Sequence, residues 1–264
     1  MFALPPLTVK WLSITVVQVL LCASTYSAER LDPSPYSKFA PIAKAGKKMG
    51  PTIPSRVGML IIYSPALVLA WLPCLVPGAW GTASVPGLVS VMVCVHFLKR
   101  VLEVLLLHRY SGGMPVGMAC MIGVLYSLYA LLVNTAVRTE AAGHTAMGPP
   151  GLAAWLGALV FAVGQVGNFY HHWLLARLRK DGAKSTGYAV PQGGLFPYVN
   201  SPHYLFELVA WYGIAVAASQ LNVLLLAVSM TGYLAGRSVS ATEWYRKTIQ
   251  VFPASRRNLV PFLF

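Results

Sequence analysis

Within the stretch GNFYHHWLLARLRKDG, residues Asn168, His172, Leu175 and Arg179 recur at intervals of four, three and four. Positions three and four apart are neighbours on a helix, so one face carries an amide, an imidazole and a guanidinium together. Lipid would not tolerate such a face. Asp181-Gly182 then signals a turn, and the chain runs through Pro191-Gln192-Gly193-Gly194 to Asn200-Ser201-Pro202. Glycines let backbone N–H groups approach a ligand closely. Ser201 before Pro202 has the order of an N-cap and a first helical residue, and helix N-termini favour anions. With Arg237, Arg246 and Lys247 in the same third of the chain, the expected chemistry is binding of a phosphate-bearing ligand.

The elements that hold these residues must lie in lipid. Of 264 residues only 10% are charged and 56% are hydrophobic, whereas soluble proteins carry roughly 25% charged residues. A spanning helix needs about 20 mostly apolar residues, and seven windows approach that length: 7–27, 58–80, 84–107, 115–137, 151–174, 203–219 and 221–238. The expected fold is therefore all-α, a polytopic integral membrane protein with seven transmembrane helices forming one domain over 1–264.

Basic residues outnumber acidic ones by 20 to 7, and all but Lys10 and Arg138 fall on one side when the loops are counted alternately. By the positive-inside rule this puts the N-terminus on the lumenal side and the C-terminus in the cytosol. The first window has features of a signal peptide, with Lys10 before the apolar run and Ala23, Ser24 and Ala28 after it. Loop parity favours a retained span. Membrane lipids are thus the expected partners of the basic surplus, not nucleic acid.

Ionisable groups inside the windows are harder to assign to solvent: Arg100 with Glu103, Glu207 in the sixth, and Arg237 at the end of the seventh. At mid-bilayer such a group costs at least about 2.5 kcal/mol unless it is paired or faces water. Each is expected to serve function or a structural ion pair, such as Arg237 with Glu207. Other chemistries lack their motifs: GxGxxG and GxxxxGK[ST] are absent. His171 and His172 point to different helix faces, a poor chelate, and no metal is expected. Cys22, Cys74, Cys94 and Cys120 sit in apolar stretches without CxxC spacing and read as small core residues.

Three segments carry a resemblance. GNFYHHWLLARLR, GYAVPQGGLFPYVNSPHYLFELVAWYG and AGRSVSATEWYRKTIQVFPASRRNLVPFLF resemble, in order and spacing, the C-terminal region of the steroid 5-alpha-reductase family. IPSRVGMLIIYSP and VHFLKRVLEVLLLHRYSGG extend the likeness upstream, in the style of the plant branch. The resemblance implies a seven-helix endoplasmic-reticulum enzyme that uses NADPH to reduce a carbon–carbon double bond conjugated to a carbonyl. Residues 1–150 would serve mainly the substrate and 151–264 the NADPH.

Asn168, Arg179, Tyr188, Glu207, Arg237 and Tyr245 stand where that family binds NADPH, and Trp211 lies near the same pocket. His172 joins them from the helix-face reading. His203 replaces an asparagine of the family's motif, and Ala241 replaces a histidine. The family's substrate-facing glutamate aligns with Tyr63, and the tyrosine that assists it aligns with Phe97. A tyrosine is protonated at neutral pH, so Tyr63 is the expected donor to the substrate carbonyl, with the lipophilic substrate entering from the bilayer. A 3-oxo-delta4-steroid-like enone is the leading substrate; a trans-2-enoyl-CoA or polyprenoid is the alternative within the family. Outside it stand a non-catalytic membrane binding protein and an isoprenylcysteine-type methyltransferase. The latter's RHPxYxG motif is only superficially like NSPHYLFE here, since the Arg-His is missing.

Overall fold

The computed structural model describes residues 2–34, 50–75, 83–110, 112–143, 149–181 and 189–264. Within them lie seven α-helices: α1 (Val9–Leu31), α2 (Ser55–Trp71), α3 (Val85–Leu102), α4 (Val116–Gly143), α5 (Leu152–Asp181), α6 (Pro202–Ala218) and α7 (Leu221–Thr248). One helix falls in each apolar window. Four of them, α1, α4, α5 and α7, are long and apolar enough to cross a membrane. The other three are shorter, and two are prolonged: α2 by a 3-10 turn over Leu72–Leu75 and α3 by a π-helix over Glu103–Leu107. The chain is a polytopic membrane protein.

The all-α expectation needs one correction. Thr52–Pro54 (β1) pairs antiparallel with Gly113–Pro115 (β2). Each strand is three residues long and ends on a proline, which has no N–H to give a longer ladder. The ribbon ties the start of α2 to the start of α4.

Helices pair mainly as α5 with α6, α1 with α7, and α2 with α4, while α3 touches α2, α4, α5 and α6. Most of α3 is buried, from Pro86 to Arg100, so its C-terminal end is delivered to the middle of the bundle. Small residues allow the close pairings. A Cβ at Gly213 would meet the backbone of Phe161, and one at Gly164 would meet Ala210. Lipid tails are as apolar as leucine, so such packing and hydrogen bonding drive association inside a membrane.

Hydrogen bonding is plainest between α1 and α7. Gln18 donates to the Asn222 carbonyl at 2.7 Å, Cys22 to Leu225 at 3.2 Å, and Thr25 to Ser229 at 3.0 Å, while Asn222 donates back to Thr15 and Gln18. These positions of α1 are three or four apart and therefore form one seam. Gly232 and Gly236 lie against Thr25, Tyr26 and Glu29. The N-terminal segment adds Ala3, which bonds to Ser219 and Leu221 at the α6–α7 turn; Ser219 makes that turn in the left-handed conformation at φ 51°.

Two readings of single residues change. Cys120 is exposed on α4 rather than in the core. Lys99, counted with the basic loops, is in the last turn of α3 beside Arg100.

Replacing Gly164 by Leu is expected to destabilise the protein by about 1–3 kcal/mol through overpacking against Ala210. Gly117→Ala, whose added carbon meets open space, should leave stability unchanged. Thermal unfolding in detergent checks both.

Candidate active site

The cavity in the bundle lies where the end of α3 meets α2, α5, α6 and α7, and has a volume of about 200 Å³. Its wall includes Tyr63 from α2, Arg100 from α3, His108 and Arg109 just beyond the π-helix, Asn168 and His172 from α5, His203 and Glu207 from α6, and Arg237 from α7. Met59, Tyr126, Tyr233 and Leu234 supply apolar and aromatic wall.

Arg100 is the hub. Its Nη2 donates to the Tyr63 hydroxyl oxygen at 2.7 Å, and its Nη1 donates to Glu103 Oε2 at 2.8 Å. The same Nη1 lies 3.2 Å from His172 Nδ1, which is 3.1 Å from Glu103 Oε2. Lys99 reaches the other oxygen of Glu103 at 3.0 Å and donates to Asn168 Oδ1. With its oxygen so engaged, Asn168 turns its amide nitrogen to the His203 carbonyl at 2.8 Å. One carboxylate thus serves two cations.

The local reason is spacing. Glu103 is four residues after Lys99 and three after Arg100, so all three fall on one side of the helix. The π-turn, closed by the His108 N–H donating to the Glu103 carbonyl at 2.7 Å, inserts one extra residue per turn. It carries His108 and Arg109 to the cavity wall, with the His108 ring 4.7 Å from that of His172.

Arginine only donates hydrogen bonds. The Tyr63 oxygen therefore accepts from Arg100, and the single Tyr63 hydroxyl proton must point elsewhere. Tyr63 lines the cavity at 4% exposure, and its O–H is a donor available to a ligand there.

The residues singled out in the sequence divide accordingly. Tyr63, Asn168, His172, His203, Glu207 and Arg237 share the cavity wall. Trp211 does not line it: it is buried behind the wall against His96 and Phe97, with ring centroids 4.8 Å and 6.3 Å away. Tyr245 is also outside the wall, stacked on Phe252 at 5.4 Å. The Arg179 side chain and Tyr188 lie outside the described residues.

The pair expected between Arg237 and Glu207 is not formed. Arg237 Nη1 instead meets Glu29 Oε1 at 2.6 Å, because the seam described above brings α1, not α6, to that point of α7. Glu207 faces His96 Nε2 at 3.4 Å, and His96 Nδ1 is 3.0 Å from Gln165 Nε2. The glycine loop also packs against α5. A Cβ on Gly194 would meet His171 and Tyr170, and the Leu195 N–H donates to His171 Nε2 at 3.0 Å. That loop packs on the outer face of α5. Ser201 stands at the N-cap of α6 without a side-chain capping bond, and Arg256, from the tail, donates to the Pro191 carbonyl at 2.9 Å.

Sequence reasoning passed over Glu29, Lys99, His96, His108 and Tyr126. A signal existed for Lys99, since the K-R-x-x-E spacing is a helical charge cluster in an apolar window. Glu103, His108 and His172 bring donor atoms within 4.8 Å of one another, the residue types of a divalent-metal site. Both Glu103 oxygens are already taken by Lys99 and Arg100, however, and those cations oppose a third. The donor set of the wall fits an anion far better: three arginines, three histidines and an amide face one lining carboxylate, Glu207.

Known proteins resemble the chain over most of its length. The family model described as 3-oxo-5-alpha-steroid 4-dehydrogenase matches residues 118–264. The chain is 30% identical over 240 residues to 3-oxo-5-alpha-steroid 4-dehydrogenase 1 of Rattus norvegicus, covering 87% of this chain and 86% of that one. It is 27% identical to the Homo sapiens protein of the same name, over 80% and 81% of the two chains. To 3-oxo-5-alpha-steroid 4-dehydrogenase 2 of Homo sapiens it is 37% identical over 109 residues, 41% of this chain and 42% of that one.

Replacing Glu103 by Gln would leave Lys99 and Arg100 buried without their counter-charge, and should destabilise the protein by about 3–5 kcal/mol. The triple change Lys99→Met, Arg100→Met and Glu103→Met, which removes the whole charge group, should be less destabilising than Glu103→Gln alone. Unfolding temperatures of the detergent-purified variants test both statements.

Proposed function

From the premise that the chain belongs to the 3-oxo-5-alpha-steroid 4-dehydrogenase family, we propose that it reduces the carbon–carbon double bond of a lipophilic 3-oxo-delta4-steroid-like enone at the cavity, using NADPH. The family's members are oxidoreductases acting on CH–CH groups, and this chain is one of them. The observation that carries the finer reading is the Tyr63 hydroxyl, which accepts from Arg100 on the cavity wall and so keeps its own proton to donate.

The cationic wall fits the cofactor. Asn168, His172, His203 and Arg237 would hold it from residues 151–264, with Arg100 beside His172 and Arg109 also on the wall, while Met59, Tyr63 and Tyr126 face the substrate. NADPH when bound supplies a hydride to the β-carbon of the enone. As that carbon gains the hydride, the double-bond electrons move towards the carbonyl oxygen. Tyr63 meets the developing negative charge with its O–H, the arrangement by which preorganised donors lower a barrier. Arg100 keeps the phenol in that orientation throughout. Tyr63 keeps its proton as a hydrogen-bond donor to the enolate oxygen, and a proton from solvent adds to the α-carbon as the enolate returns to the ketone, which completes the reduction.

The bundle would span the membrane seven times, α2 and α3 with the help of their 3-10 and π extensions, with the cationic end of the cavity towards the cytosol. An apolar substrate enters from the bilayer, and the endoplasmic reticulum is the proposed membrane. Enoyl-thioester and polyprenoid substrates remain the alternatives within the family; no residue of the wall selects them over an enone.

Thermal shift of the purified protein with NADPH, NADH and S-adenosylmethionine tests the cofactor. Stabilisation by NADPH is expected, and stabilisation by S-adenosylmethionine alone overturns the reading. For the donor, Tyr63→Phe should lower kcat on a 3-oxo-delta4-steroid by about 10²–10³-fold, as for loss of one oxyanion donor, with NADPH affinity unchanged. Unchanged turnover would remove Tyr63 from the mechanism.

A further inference from the structure

The first helix contributes a side chain to the cavity wall indirectly. Glu29, in the last turns of α1, is 4% exposed, and Arg237 on α7 is 1% exposed. Their contact is short, 2.6 Å from Nη1 to Oε1. Glu29 is itself held: Ser34 donates its hydroxyl to Oε2 at 2.7 Å and its backbone N–H to the same oxygen at 3.2 Å. Arg237 Nη1 also donates to the Ser34 carbonyl at 3.2 Å. The end of α1 therefore grips Arg237 from two sides.

A guanidinium is a planar, rigid fork. Fixing one Nη against a fixed carboxylate fixes the plane of every other donor on that side chain. Because Arg237 lines the cavity, this plane determines how the residue presents itself to an anionic ligand. The register that brings Glu29 there comes from the polar seam of α1 with α7, and Gly236 leaves room for it, since a Cβ there would lie 3.2 Å from the Glu29 Cβ.

We infer that Glu29 is a positioning residue of the nucleotide site, orienting Arg237 towards a phosphate of the bound cofactor. This rests on the NADPH reading proposed above. The first helix is accordingly a working part of the site and more than an anchor.

A neighbouring pair supplies the control. Arg30 and Glu243 join the same two helices at 2.9 Å, but their side chains are 33% and 47% exposed, and neither lines the cavity. If the pairs served only to clamp α1 to α7, neutralising either would act alike on the site.

NADPH dissociation constants, measured by titration of the full-length protein, decide between these roles, alongside the unfolding temperature without cofactor. Glu29→Gln should weaken NADPH binding about tenfold, the scale of one charge-assisted hydrogen bond, with kcat at saturating NADPH little changed. Glu243→Gln should leave the dissociation constant unaltered. Combined with Arg237→Gln, Glu29→Gln should add no further loss. Glu29→Asp keeps the charge but shortens the arm, and should weaken binding less than Glu29→Gln. If Glu29→Gln does not fold, Glu29→Asp decides, and wild-type affinity in it overturns the assignment. Equal effects of Glu29→Gln and Glu243→Gln, or a lowered unfolding temperature with NADPH affinity intact, also overturn it. A wild-type protein that binds no NADPH overturns the proposed function and this inference together. Wild-type binding with an unaffected Glu29→Gln overturns this inference alone.

Discussion

A guanidinium removed from water needs a carboxylate and well-placed acceptors, or its burial is prohibitively unfavourable. Arg100, at 9% exposure, meets that condition only where three elements converge. Tyr63 comes from α2, Glu103 from the turn that follows α3, and His172 from α5. The π-turn is part of the same solution, because it lets the chain leave α3 with Glu103 still facing inward. Move any one of these elements and a charge is left alone in an apolar interior. The position of α3 at the centre of the bundle and the shape of the cavity are in this sense consequences of a single buried cation.

The same economy appears where no ligand is bound. Between α1 and α7 the bundle substitutes side-chain amides and hydroxyls for apolar contact, and between α5 and α6 it substitutes glycine and alanine for bulk. Both follow from a surrounding solvent that gives leucine no reason to prefer protein over lipid. The seam ends at Glu29 and Arg237, so a device that specifies which helices associate also terminates in a charged pair at the cavity wall. Packing specificity and the proposed ligand site share residues here.

On the proposed function, a tyrosine where the resemblance puts the family's glutamate becomes intelligible beside Arg100. A carboxylate in that place would be drawn into an ion pair with the guanidinium and would present no proton. A phenol accepts the arginine's hydrogen bond and still has one proton to give. Phe97, aligned with the family's assisting tyrosine, packs on Tyr126 and Trp211 at ring distances of 5.9 Å and 6.3 Å.

Much of this was legible in the residues themselves. Apolar windows located all seven helices, since hydropathy and length are properties of a contiguous segment. Helical spacing put Asn168 and His172 on one face, and the cost of an ionisable group in lipid marked Arg100, Glu103, Glu207 and Arg237. Partner choice was not legible. Glu29 and Arg237 are 208 residues apart, and nothing local to either names the other; the plausible alternative, Glu207, lies on a helix that packs α7 elsewhere. Gly193-Gly194 reads as a ligand loop in isolation, and its close approach to α5 is visible only in the folded chain. Likewise Trp211 and Tyr245 belong to the right helices but face other neighbours. Sequence determined the elements, their lipid setting and the kinds of group that had to be satisfied, because those depend on short-range periodicity and solvation. Tertiary structure decided which charge answers which, because that depends on how distant helices pack.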